Sequence, residues 1–169
     1  MPDPAKPHQP DRYFVWFAAN GLLTAAEAWV AFQIQQEAIA PAVLFPLLVG
    51  AVLGAGGLAI LRFTRVPGLR VAICGAAVWG LLVVIGQDYI GHRHHLRLYD
   101  DALGRQQSAL AALVAHDPQM RPGFGEYLAG KLRMHPVWWS LDLVLTSGAT
   151  ALVTALGASG KQLPTSGEA

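Results

Sequence analysis

Ala42-Val43-Leu44-Phe45-Pro46-Leu47-Leu48-Val49-Gly50-Ala51-Val52-Leu53-Gly54-Ala55-Gly56-Gly57-Leu58-Ala59-Ile60-Leu61 contains no charged and no amide side chain. A helix that is apolar on every side belongs in lipid or in the core of a far larger protein. A chain of 169 residues has no such core to offer. About 20 helical residues cross roughly 30 Å of hydrocarbon, so this stretch alone spans a bilayer. Its runs do not alternate, which excludes a transmembrane β-barrel. Pro41 and Pro46 fall in the first turns of the span, where a missing N–H costs least.

Working outward, three more runs have the same character, and the four spans are read at 13–33, 41–61, 71–90 and 137–156. The composition agrees, with 53% apolar and 14% charged residues. Soluble proteins carry charge at about a quarter of positions, so this chain lacks the polar residues to coat a globule. The fold expected is an all-α membrane protein: four transmembrane helices in one domain over 13–158, with an extramembrane helical hairpin at 91–136. The Pro-rich segment 1–12 reads as a disordered polar tail, and 159–169 as a second short polar end. The first span reads as a retained anchor rather than a cleaved leader.

The hairpin rests on spacing. Leu96, Tyr99, Leu103, Gln106, Leu110 and Leu113 recur at threes and fours, one face of a helix continuing from the third span to about Ala115. His116-Asp117-Pro118 and Arg121-Pro122-Gly123 break it. A second helix, Phe124 to Met134, leads back to the membrane, where Trp138 and Trp139 suit an interfacial belt. Lys and Arg divide six and six between the two faces, so their totals do not orient the chain. The first loop has none while the N-terminal flank has Lys6 and Arg12, which favours cytoplasmic termini and a periplasmic 91–136 in a bacterial inner membrane.

Chemistry-capable side chains concentrate where the third span ends, in Asp88-Tyr89-Ile90-Gly91-His92-Arg93-His94-His95. Asp88, His92 and His95 stand at i, i+4 and i+7 on one face if the helix runs on through Gly91, with His94 and Arg93 directed elsewhere. Two carboxylates lie at matching depth in neighbouring spans. Glu27 is roughly 9 Å inside the first span and Asp142 roughly 8 Å inside the fourth, at 1.5 Å per residue. Intramembrane acids default to pairing or functional roles.

Two functional readings follow. The first is a non-catalytic accessory or structural subunit of a larger membrane complex, joined to other membrane proteins or to itself through small-residue faces. Those faces are Gly50/Gly54, Ala72/Ala76/Gly80 and Ser147/Ala151/Ala155. The second is a metal-binding, redox-capable membrane protein in which Glu27, Asp88, His92, His95 and Asp142 hold a transition metal ion. Against it stands the lack of any Glu-x-x-His pattern of the kind that di-metal bundles repeat. Two-histidine haem ligation is weaker still, since His92 and His135 sit at the boundary. Phosphate loops, nucleophile elbows and Cys-x-x-Cys pairs are absent from the sequence, which leans the chain away from enzymes. A net charge of +1 gives no field for nucleic acid. The single cysteine, Cys74, is expected to be a small packing residue.

Overall fold

The computed structural model describes residues 9–37, 43–64, 69–105 and 122–159. Among them there are helices and no strands: α1 (Gln9–Glu37), α2 (Leu44–Thr64), α3 (Leu69–Arg105), α4 (Phe124–Met134) and α5 (Pro136–Ser159). Four of these are long and apolar enough to cross a membrane, at Arg12–Gln36, Leu44–Thr64, Leu69–Asp101 and Pro136–Ser159. Helices in lipid must satisfy every backbone group internally, and uninterrupted runs of this length do so.

The element boundaries depart from the expected spans in informative ways. α1 begins at Gln9, inside the segment read as a disordered tail, and ends at Glu37 rather than Gln33. α2 starts three residues later than expected and carries Pro46 in its first turn, while Pro41 lies outside the described residues. α3 is continuous through Gly91 for 37 residues. At 1.5 Å per residue that is about 55 Å, so about 25 Å projects beyond a 30 Å hydrocarbon layer. The expected continuation to Ala115 is described only as far as Arg105; the breaker segment through Arg121 lies outside the described residues. α4 occupies the predicted residues 124–134. Its first turn is closed by the Gly123 N–H donating to Glu126 Oε2 at 3.0 Å. His135 interrupts the helix, and Pro136 then opens α5, where proline is tolerated.

The four spans form a ring in the order α1–α2–α5–α3, α1 and α5 each packing against both α2 and α3, with α4 resting on α3 and α5. Ala28, Leu53, Trp79 and Val83 make the central apolar cluster, with Leu23, Val49 and Ile90 around it. α5 fits against its neighbours through a stripe the sequence reading passed over. Thr146, Thr150 and Thr154 are all buried, and the last two hydroxyls donate back to the carbonyls of Thr146 and Thr150 at 2.7 and 2.8 Å. Bonds to the preceding turn satisfy a threonine hydroxyl without water. Opposite this stripe stand the anticipated small residues. A Cβ on Gly54 would lie 2.8 Å from Val153 Cβ, and one on Gly80 would lie 2.7 Å from Ser147 Cα. Cys74, by contrast, is exposed on the outer surface of α3 rather than packed within the bundle.

Candidate functional site

The face at which α1 and α3 leave the membrane gathers most of the reactive side chains. α3 brings Asp88 and His92, which are buried, one turn apart on the side facing α4. The Asp88 carboxylate accepts a hydrogen bond from the Trp139 indole N–H at 2.8 Å and forms an ion pair with the Lys131 ammonium. One carboxylate thereby ties α3 to both α4 and α5. Charge-assisted bonds of this kind are stronger than neutral ones. Asp142, on α5, lies close enough for the charges of Lys131 and Asp88 to act on it.

His92 binds the chain just ahead of α4. Its Nε2 lies 2.8 Å from the Pro122 carbonyl oxygen, which can only accept, so Nε2 carries the proton. Its Nδ1 is buried and has no partner among the described residues. The imidazole also stands against Phe124 and Tyr127, with ring centroids 5.7 and 5.2 Å away, while Tyr89 meets Phe124 edge-on at 5.3 Å. Phe124, Tyr127 and Lys131 share one face of α4, at i, i+3 and i+7, and that face docks on α3.

The expected five-residue group is therefore divided. Asp88 binds Lys131 of α4, His92 binds Pro122 just ahead of that helix, and Asp142 lies within range of the charges of Lys131 and Asp88. His95 lines a cleft of about 340 Å³ that Asp88 and Lys131 also line, together with Gln35, Gln36 and Gln87. His94 lines that cleft too, set edge-on to Phe32 at 5.6 Å, although the spacing had pointed it elsewhere. Glu27 is not among the residues of that cleft; it borders a separate groove between α1 and α2. Both of its carboxylate oxygens are buried without a hydrogen-bond partner among the described residues, as is the hydroxyl of Thr24 on the preceding turn. Because α1 runs on to Gln36, Glu27 lies nine residues from that end. That is about 14 Å along the helix, deeper than the span boundaries implied. No group of three or more His, Cys, Asp or Glu side chains set to hold a metal ion occurs among the described residues.

Sequence reasoning missed Lys131 and Trp139. In the sequence Lys131 enters only the Lys/Arg count and Trp139 only the interfacial pair; Trp138, unlike Trp139, is exposed. A usable signal was present in the amphipathic face Phe124/Tyr127/Lys131 at the helix that returns to Asp88's level.

The His92 bond yields a direct expectation. His92→Leu keeps the bulk against Phe124 and Tyr127 and removes the donor to Pro122. A net hydrogen bond contributes about 1 kcal/mol. Amide hydrogens of α4 are then expected to exchange several-fold faster while those of α2 and α5 are unchanged; equal rates in α4 would show that the bond does not hold the helix in place. No known protein family, no curated protein and no solved structure matches the chain.

Proposed function

We propose that the chain is a non-catalytic accessory subunit of a larger complex in a bacterial inner membrane, with both termini cytoplasmic and residues 91–136 on the periplasmic side. One observation carries this reading: the side chains best suited to chemistry are used to hold helices. Asp88 accepts from Lys131 and Trp139, and His92 is bound to Pro122. A reactive centre needs a group left open toward a substrate, and these are closed onto their own chain. Their combined effect is to fix α4 across the membrane face beside the projecting part of α3. Two helices held in a set geometry outside the lipid form a platform that another subunit can dock on. The metal-binding alternative finds less support: Asp88 and His95 line one cleft, but Glu27 lies in a separate groove, and no group of three or more His, Cys, Asp or Glu side chains set to hold a metal ion occurs among the described residues.

The test is assembly in native membranes. After extraction in a mild detergent, the chain is expected to migrate in a complex larger than itself, with one or more membrane proteins in fixed stoichiometry. Deleting it is expected to lower the accumulation of those partners. A monodisperse monomer, with no protein depending on it, would overturn the reading.

A further inference from the structure

We propose that the α1–α2 groove over Glu27 is a binding site for lipophilic cations, small hydrophobic ammonium compounds that enter from the lipid. This site is independent of the assembly role and lies on a different side of the bundle from the α4 clamp.

The groove encloses about 320 Å³, and its walls include Leu23, Val30 and Ile34 from α1 and Phe45, Leu48 and Val52 from α2. That volume falls at the small end of the roughly 300–1,000 Å³ of small-molecule sites. Among the described residues, Glu27 is the only ionisable side chain lining it. The helices on both sides are membrane spans, and Glu27 lies well inside its own. Lipid headgroups do not reach that depth, and acyl chains supply no hydrogen bond. A carboxylate in such surroundings is costly unless an opposite charge meets it. Among the described residues, neither wall offers one.

The chemistry of the walls and of the carboxyl together selects the ligand. An alkyl or aryl body suits aliphatic walls, and a positive charge suits Glu27. An anion of the same shape is repelled, and a neutral molecule leaves the acid unpaired. Glu27 is one of the residues lining the groove, and both of its oxygens are buried with no hydrogen-bond partner among the described residues. No hydrogen bond among the described residues has to break for the carboxyl to turn to a bound cation.

The experiment uses the full chain in lipid nanodiscs, titrated with octylammonium, with octanol and octanoate as neutral and anionic probes of matched chain length. Empty nanodiscs give the partition background. Saturable binding of octylammonium, at least tenfold tighter than octanol and with no saturable binding of octanoate, is the expected result. Glu27→Gln, nearly isosteric, is expected to remove that preference. Val52→Trp fills the groove from a residue whose side chain is already exposed, leaves Glu27 in place, and is expected to abolish binding as well. Thermal unfolding of each variant confirms that it is folded. Equal affinity for the three probes, or octylammonium binding unchanged by both variants, would overturn the proposal. So would absence of binding together with crosslinking of a photoreactive residue at position 52 to another polypeptide, which gives the groove to a partner's helix.

Discussion

Gly80→Leu is expected to lower the thermal unfolding midpoint of the purified protein more than any substitution on its lipid-facing surface. A Cβ at position 80 would stand 2.7 Å from Ser147 Cα and 3.2 Å from Ser147 N, both backbone atoms, and 3.0 Å from Thr150 Oγ1. Backbone cannot step aside as the end of a side chain can, so α3 and α5 must separate. In lipid, helices are held by close van der Waals packing rather than by exclusion of water, and small residues make that approach possible. Overpacking a tight contact costs about 1–3 kcal/mol, and Gly80→Ala belongs near the upper figure because the obstruction is main chain. The leucine variant adds the loss of the threonine stripe's seat against α3. Gly148 provides the control. It lies on α5 next to Ser147, yet a Cβ there meets nothing within 4 Å. Gly148→Ala is expected to be neutral or stabilising by about 0.5–1 kcal/mol, because alanine loses less backbone freedom in a helix. Equal effects of the two alanine variants would mean that α3 and α5 are not in contact along this line.

The contrast between Gly80 and Gly148 also illustrates what could be read in advance. Hydropathy located all four spans, and the Ala72/Ala76/Gly80 spacing marked a close-packing face, because both are properties of one helix at a time. The ends of α4 were legible for the same reason: Pro122-Gly123 before it and His135-Pro136 after it are local breakers. Counting residues along a span gives depth, and depth drew together Asp88 and Asp142, which lie within range of each other's charge. Depth says nothing about azimuth. Glu27 shares that half of the membrane and the α1 face of the buried Asn20 and Thr24, yet it borders the groove toward α2 rather than the cleft of Asp88 and His95. Lys131 stayed hidden because its partner is 43 residues away, and only the docking of α4 brings them together. The threonine stripe was overlooked for a different reason. Thr146, Thr150 and Thr154 have helical spacing in plain view, but Ser147/Ala151/Ala155 offered smaller residues on the adjacent line.

Lys131→Met is expected to destabilise the protein by about 3 kcal/mol, and the second-site change Asp142→Asn is expected to restore part of the loss. Breaking a buried ion pair by removing one member costs about 3–5 kcal/mol, because the remaining charge is left uncompensated. The lower end applies here: the Lys131 side chain is 42% exposed, so solvent screens the interaction, whereas the Asp88 side chain is 6% exposed. Without the ammonium, Asp88 retains among the described residues only the Trp139 N–H as a partner, and the charge of Asp142 acts against its own. Methionine keeps the length and apolar stem of lysine, so the measured loss reports charge rather than packing. Neutralising Asp142 removes the repulsion that lysine had offset, which is why the double variant should be more stable than Lys131→Met alone. A double-mutant cycle measured by unfolding in mixed detergent gives the coupling directly, expected to lie between about 0.5 and 3 kcal/mol for groups in one network. Strict additivity would mean that Asp142 lies outside the network, leaving Asp88 as the only acid that Lys131 serves. A loss below about 1 kcal/mol in the single variant would reduce the pair to an ordinary surface ion pair. In that case α4 would be held by the rings of Phe124 and Tyr127 against His92 and Tyr89, and the platform would rest on aromatic packing instead of charge.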